Sequence, residues 1–452
     1  MFYIFILNIL LFTTKSYIFS VIVSIYNTAR YLNDSINSLL IQSIGFKTIQ
    51  LILVNDGSFD NSEQICLKYQ NLYPDNIYYI KINNSGVSKA RNVGLKYIKG
   101  LYINFLDSDD KWDSNALKNA FLFFKYFKNV YIVSGRIKYF EASNNYHFLD
   151  YKFKTTRVID LNKEFHCIQL HVSSSFFKKN VINNNKFDEK IFVGEDVKFL
   201  FNILISKPLL GLLKESIYFY RKRSDSTSAI QNTEKNINFY LSRHNLVQQE
   251  LINKSNLLYK KIIPFIQFYI SYELMFRIAS PSYKILDLVN YKIYCQLTEN
   301  LLNQIEDIYI LEQKVSSTKL KIFVLSKKHN RDIRYDMQLI NQQLLYSNHI
   351  IIDFKEKNYL IVWKNLEIIN NILHLEGEDK FWMPRENYYY YCQLENKTIF
   401  PSYFDHSEYD YLTLYGKYIK GRVVVFDINL ENVEESIILK FCISYLNNNF
   451  EI

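Results

Sequence analysis

Short apolar runs recur along the first quarter of the chain, each closed by small or polar residues and separated by stretches of helical period. SVIVSIYN, beginning at Ser20, places the β-branched run Val21 to Ile25 in a strand that Asn27 ends. Leu32, Ile36, Leu39 and Leu40 then fall at helical spacing within Tyr31 to Ser43, which predicts a covering helix. Ile49 to Val54 reads as a second strand, followed by the loop Asn55-Asp56-Gly57-Ser58 and by Asp60, Asn61 or Ser62 as the cap of another helix. Ile77 to Ile82 is a third strand; Gly86 permits a tight turn, Val87 to Ile98 is helical, and Gly100 is expected to end it. The next run, LYINFLDSDDKW from Leu101 to Trp112, passes straight from Tyr102, Ile103, Phe105 and Leu106 into Asp107, Asp109 and Asp110. Strand and helix alternating at this spacing predict βαβ units and a mostly parallel sheet covered by helices.

The pattern changes further on. Ile266, Ile270, Leu274 and Ile278 recur every fourth residue in a long helix that Pro281 should stop, and Tyr291 to Glu306 reads as another helix. From about Ser316 the runs LKIFVL, YLIVW, LEIINNILHLEG, YYYYCQLENKTIF, RVVVFDINL and SIILKFCISY read as short strands, with Asn370-Asn371 and Asn396-Lys397 as hairpin turns. The expected organisation is an apolar N-terminal extension (1–19), an α/β domain (20–230), a helical region (231–315) and a small antiparallel β domain (316–452), taken to be a sandwich.

Composition narrows the function class. At 452 residues, with 48 % hydrophobic and 22 % charged residues, the chain can fold as two or three domains with ordinary cores. The net charge of +9 is spread out, without a dense Lys/Arg block, so it suits anionic ligands or surfaces and gives no footprint for nucleic acid. Five separated cysteines without a CxxC pair indicate a reduced, cytoplasmic protein. The opening MFYIFILNILLF is shorter than the roughly 20 residues of a membrane span; a peripheral anchor is favoured over a secretory signal, because no positive region precedes the apolar one.

In an extended chain residues i and i+2 point the same way, so Asp107 and Asp109 aim two carboxylates at one region of space. Such a pair suits a hard divalent cation, and equally a solvated strand end. In parallel sheets ligands bind at the carboxyl ends of the strands. There, Tyr26 and Asn27 after the first strand, Asp56 after the second and Asp107 with Asp109 after the fourth should meet. No G-x-G-x-x-G follows the first strand, which argues against a Rossmann dehydrogenase.

SVIVSIYN, LILVNDGSFDNS, NSGVSKARNVGL, INFLDSDDKW, FVGEDVKFLFNI and YFYRKRSDSTS, in this order between Ser20 and Ser228, resemble the motifs of family 2 glycosyltransferases with the GT-A fold, in particular bacterial enzymes of capsule, teichoic-acid and other surface-glycan synthesis. Ser24 stands where the family commonly has Pro, and Phe59 where Thr is usual. The resemblance implies an inverting, metal-dependent transfer of a sugar from a nucleotide diphosphate, with UDP expected, to a hydroxyl of a glycan or lipid-linked glycan. It implies Mg²⁺ or Mn²⁺ on Asp109 with Asp107 shared between metal and ribose, and Asp110 orienting them. Tyr26, Asn27 and Asp56 would serve the nucleoside, Arg91 phosphate or base oxygens, and Arg221 and Arg223 the diphosphate from a closing segment. Asp196 would be the base, with Glu195 in support or as the alternative. His166 and His171, either side of Cys167, match no zinc spacing and read as core or acceptor-cleft lining. Peripheral membrane contact and self-association are compatible with this picture. A non-catalytic glycan-binding scaffold with the same fold is the competing reading.

Overall fold

The computed structural model describes residues 16–182, 185–223, 237–279, 286–354, 361–379, 388–394, 397–412, 418–429, 440–445 and 448–451. Contacts divide the chain into two compact units, Met1–Tyr269 and Ile270–Ile452. Residues 1–15 of the apolar extension, Pro281, Asn396 and the RKRSDSTS segment beyond Arg223 lie outside the described residues.

The first unit is built on a nine-stranded sheet. Strands β1 (Phe19–Ile25), β2 (Ile49–Asp56), β3 (Ile77–Ile82) and β4 (Tyr102–Asp107) form a parallel block in the order β3-β2-β1-β4. Every residue of β2 is buried, as befits a strand covered on both faces, whereas β3 at the edge mixes buried and exposed positions. Its helices are α1 (Ala29–Leu40), α2 (Ser62–Leu72) and α3 (Val87–Leu95). Leu32, Ile36 and Leu39, the apolar stripe expected from the sequence, are fully buried in the core with Val21, Val23 and Leu51.

Gly100 does not cap α3, which ends at Leu95. A Cβ at Gly100 would stand 2.4 Å from the backbone nitrogen of Ser20, so the chain there needs a residue without a side chain to pass beside β1. Ser20 Oγ accepts from the Gly100 backbone N–H at 2.8 Å.

Beyond β4 the sheet becomes mixed. The short β5 (Lys111–Trp112) is followed by α4 (Ala116–Tyr126), β6 (Ile132–Glu141), β7 (Arg157–Asp160), β8 (Ser175–Lys178), α5 (Glu195–Leu204) and β9 (Leu209–Lys222). β8 lies antiparallel between β4 and β6, while β9 runs parallel to β6 and antiparallel to β5. β4 is therefore the seam between the parallel block and the rest. At this seam Asn104 donates to the Ser173 and Ser175 carbonyls and accepts from Trp112 Nε1 at 3.1 Å.

The helix Pro264–Ala279 carries Ile266, Ile270, Leu274 and Ile278 with no exposed surface, and a second helix spans Leu288–Asn303. Leu320 to Leu325, expected as a strand, is helical. Ser317 accepts from Leu320 N as a side-chain cap, and Leu320, Ile322, Val324 and Leu325 are buried within the helix Thr318–Lys328. The β-branched run misled because tertiary burial overrode strand propensity. Strands begin at Gln338, forming one three-stranded and two four-stranded antiparallel sheets. Asn370 and Asn371 do make the hairpin turn, with φ of 49° and 61°, between Ile361–Ile369 and Ile372–Asp379.

Candidate active site

The ends of β1, β2 and β4 lie level, since Ser24 is in register with both Val54 and Asp107. Asn27, in left-handed conformation at φ 51°, accepts from Phe59 N at Oδ1 while its own N–H donates to Ser58 Oγ, so the loops after β1 and β2 are tied together. The Tyr26 ring is 44 % exposed and meets the still more exposed Phe59 edge-on at 6.3 Å. Asp56 is buried and accepts the backbone N–H groups of Ser85 and Gly86, both at 2.8 Å. It therefore fixes the loop that leads into α3.

Arg91, on α3, is buried and makes three ion pairs. Nη1 reaches Asp196 at 2.7 Å and Glu195 at 3.2 Å, and Nη2 reaches Asp107 at 3.0 Å. The expected phosphate ligand is thus the hub of the carboxylate cluster. Burial opposes its charge, and Asp196, Asp107 and Glu195 together more than reverse that effect.

The acids differ among themselves. Asp107 accepts from Ser173 Oγ at 3.0 Å on its other oxygen; burial is the strongest single influence on its pKa and raises it, but Arg91, His171 and Ser173 together hold it below the ordinary range. Asp109 is raised by burial and by Asp107, against the pull of Arg223, whose Nη2 lies 2.5 Å from Oδ2. Asp110 accepts from Tyr218 Oη at 2.8 Å and from the Arg221 backbone N–H at 2.7 Å, and is pushed well above the ordinary range by burial and by its two acidic neighbours. Asp110 therefore faces the sheet rather than the cleft.

Glu195 and Asp196 open α5 after Gly194, whose φ of 96° sets the turn. This places both at a helix N-terminus, where negative charge is favoured. Asp196 accepts from Arg91 and, at 3.1 Å, from the Val172 backbone N–H. Burial, followed by the charge of Asp196, raises Glu195 to about 7. Arg221 is anchored at the end of β9, donating to the Asp109 carbonyl and pairing with Glu141 and Asp34 at 2.8 Å each. Arg223, just beyond the strand, caps Asp109.

The donor set of Asp107 and Asp109 is hard oxygen, and Asp109 is an acid whose ionisation its surroundings oppose. That is an environment a divalent cation would relieve, so these residues fit Mg²⁺ or Mn²⁺. Arg223 stands in the corresponding electrostatic position. His166 also lies in a cluster, with Glu164 and Cys167 ligand atoms within 4.8 Å, but Arg157 already bridges both Glu164 oxygens at 2.6 Å.

The sequence motifs assign no role to Ser173, Tyr218 or Tyr220, and the sequence reads His171 only as core or acceptor-cleft lining. His171 Nε2 lies 3.8 Å from Asp107 Oδ2, and its Nδ1 accepts the Ser174 backbone N–H. Alternation along YFYRK, which puts Tyr218 and Tyr220 on one face of β9, was the available signal.

A mostly parallel, helix-covered sheet with an acidic edge and an acid pair on a facing helix defines a nucleotide-sugar transferase of GT-A architecture. The family model described as Glycosyl transferase family 2 matches residues 20–183. The minor teichoic acid biosynthesis protein GgaA of Bacillus subtilis is 32 % identical over 375 residues, covering 81 % of this chain and 83 % of GgaA. GgaB of the same organism is 36 % identical over 416 residues, covering 90 % of this chain. The chain spans 45 % of GgaB's length. The chain belongs to glycosyl transferase family 2. The crystal structure of S. aureus TarS superposes with a TM-score of 0.57 at 17 % identity, over 96 % of this chain and 77 % of TarS, which shows the shared fold. Among the described residues no helix is long and apolar enough to cross a membrane.

Proposed function

We propose that the protein is an inverting glycosyltransferase that moves a sugar, of the hexosyl or N-acetylhexosaminyl type, from a UDP-sugar to a hydroxyl of a teichoic-acid-like surface glycan. The observation that carries this reading is the Arg91 hub. One guanidinium joins Asp107, on the donor side, to Glu195 and Asp196, on the side from which an acceptor would attack. The names of relatives support the substrate class: GgaA and GgaB are teichoic acid biosynthesis proteins, and a TarS fragment of the same fold carries UDP-GlcNAc.

In this mechanism Tyr26 offers its exposed ring to the nucleobase, while Asn27 and Asp56 hold the loops that frame the nucleoside. Asp109, with Asp107, would hold a divalent cation, which when bound neutralises the diphosphate and favours its departure. Arg221 and Arg223 flank the same edge and add positive charge where the leaving group gains negative charge. Asp196 takes the acceptor proton as the acceptor oxygen bonds to the anomeric carbon. The bond from that carbon to the phosphate oxygen breaks, and its electron pair leaves with the UDP.

A second assignment of the base is favoured by a specific observation. Glu195 makes a single ion pair, at one oxygen, and its pKa near 7 is matched to proton transfer at neutral pH. Turnover of a UDP-sugar by Asp196→Asn and by Glu195→Gln, measured beside UDP affinity, decides between them. UDP binding without any transfer or donor hydrolysis by the unaltered protein would favour the scaffold reading instead.

A further inference from the structure

The sheet of the first unit has two unlike edges. The acid cluster stands at the carboxyl ends of β1, β2 and β4, and the opposite edge is where those strands begin. There Phe19 is level with Ile49 and Tyr102, Ile77 is level with Leu51, and antiparallel β8 ends with Lys178 beside Tyr102. β6 and β9 start at the same level, since Ile132 is in register with both Phe177 and Leu210.

The connections that reach this edge, residues 41–48, 73–76, 96–101, 127–131, 178–180 and 205–208, hold seven lysines against a single carboxylate, Asp75. Lys47, Lys96, Lys99 and Lys128 are exposed. Lys178 and Lys179 donate to the carbonyls of Lys128 and Ile98 rather than to carboxylates. Apolar side chains stand out among these charges: Ile41 is 67 % exposed, Leu101 62 % and Tyr126 80 %. The helix Glu250–Tyr259 brings its last turn to the same edge, where Tyr259 Oη donates to the Ile205 carbonyl at 2.6 Å. Leu257 and Leu258 in that turn are exposed, and so are Lys260 and Lys261 just after it. The chain also enters the unit here. Ile18 N–H donates to the Thr48 carbonyl at 2.8 Å and Tyr17 Oη to the Asp75 carbonyl, so the apolar run MFYIFILNILLF leads into this edge.

We propose that this edge is a docking surface for an anionic lipid bilayer, with the apolar residues 1–12 entering the interface beside it. The ammonium groups meet the headgroups while the exposed leucine, isoleucine and tyrosine side chains reach the acyl boundary. A soluble polyanion would use the charges and leave the apolar groups in water. Docked in this way, the acid cluster faces away from the lipid. A nucleotide diphosphate then approaches it without crossing the negative field of the headgroups.

The test is co-sedimentation of the full chain with vesicles of phosphatidylglycerol mixed into phosphatidylcholine, and with vesicles of phosphatidylcholine alone. Binding should need phosphatidylglycerol and should weaken at least tenfold as salt rises from about 0.1 to about 0.5 M. A lysine near such a surface contributes about fivefold, so Lys47→Gln, Lys99→Gln and Lys128→Gln combined should weaken binding by about a hundredfold. Leu257→Ser with Leu258→Ser should weaken it by about tenfold or more. Thermal unfolding and UDP affinity should be unchanged in both variants, since none of these side chains meets the core or the acid cluster. Equal binding to phosphatidylcholine, an unchanged vesicle affinity in either variant, or capture by soluble polyphosphate without any binding to vesicles would overturn the proposal.

Discussion

Arg91 and Asp196, 105 residues apart in sequence, meet at 2.7 Å, and the same guanidinium reaches Asp107 through its other terminal nitrogen. The contact joins α3 to α5 and to the end of β4, so the candidate site and the fold share one interaction. Replacing Arg91 by Met leaves three carboxylates facing one another. Removing one partner of a buried ion pair costs about 3–5 kcal/mol, and that loss should be visible in urea unfolding. Lys at this position cannot serve three acids with one ammonium and should recover little. Wild-type stability in Arg91→Met would show the hub to be dispensable.

Asp109→Ala removes the acid most suited to a cation. Cation-dependent hydrolysis of a UDP-sugar should fall by about a hundredfold or more, with Mn²⁺ binding, followed by electron paramagnetic resonance, weakened in parallel. Asp110→Asn is expected to act differently, lowering stability through Tyr218 and the Arg221 N–H while leaving Mn²⁺ affinity close to normal.

For Asp196→Asn, turnover should drop by roughly 10²–10⁴-fold while UDP affinity holds. If Glu195 is the base instead, Glu195→Gln will show the larger loss, and the wild-type rate will rise with pH through about 7 as that carboxyl ionises.

Lys152 gives stability a pH dependence of defined sign. The unfolded chain keeps this proton to about 10.5 and the folded protein only to about 7. Between those values unfolding takes up a proton, so stability rises with pH, by up to about 1.4 kcal/mol per unit. Urea melts across that range should show this slope in the unaltered protein and its loss in Lys152→Met.

Gly100→Ala should destabilise the α/β unit by about 1–3 kcal/mol, because the added Cβ meets backbone atoms of Phe19 and Ser20 that cannot rotate away. Thermal unfolding measures this, and an unchanged midpoint would mean that the strand can shift to make room.

Local chemistry made much of this legible in advance. The apolar stripe of α1, the Asn370-Asn371 turn and the acid pair at the start of α5 are short-range patterns, and the structure brings Asp107 and Asp196 together on Arg91 and pairs Asp109 with Arg223. What did not show is what depends on distant partners. Arg91 reads as a phosphate ligand until α5 is folded beside it. Asp56 reads as a nucleoside ligand until Ser85 and Gly86 donate their backbone N–H groups to it. The lysine-rich edge carries no motif, because its residues come from separate connections that only the fold brings level. Leu320 to Leu325 illustrates the converse, a strand-like run made helical by its cap and its burial.

The seam at β4 bears on how this protein could change over time. Tyr26, Asn27 and Asp56 sit on the parallel side, in the loops after β1 and β2, whereas Glu141 and Arg221 belong to β6 and β9. Among the contacts that cross the seam are the Arg91 cluster and Arg221, which pairs with Asp34 on one side and Glu141 on the other. The two banks of the cleft can therefore change separately, one being rewritten while the other is kept, so long as those bridges are left alone.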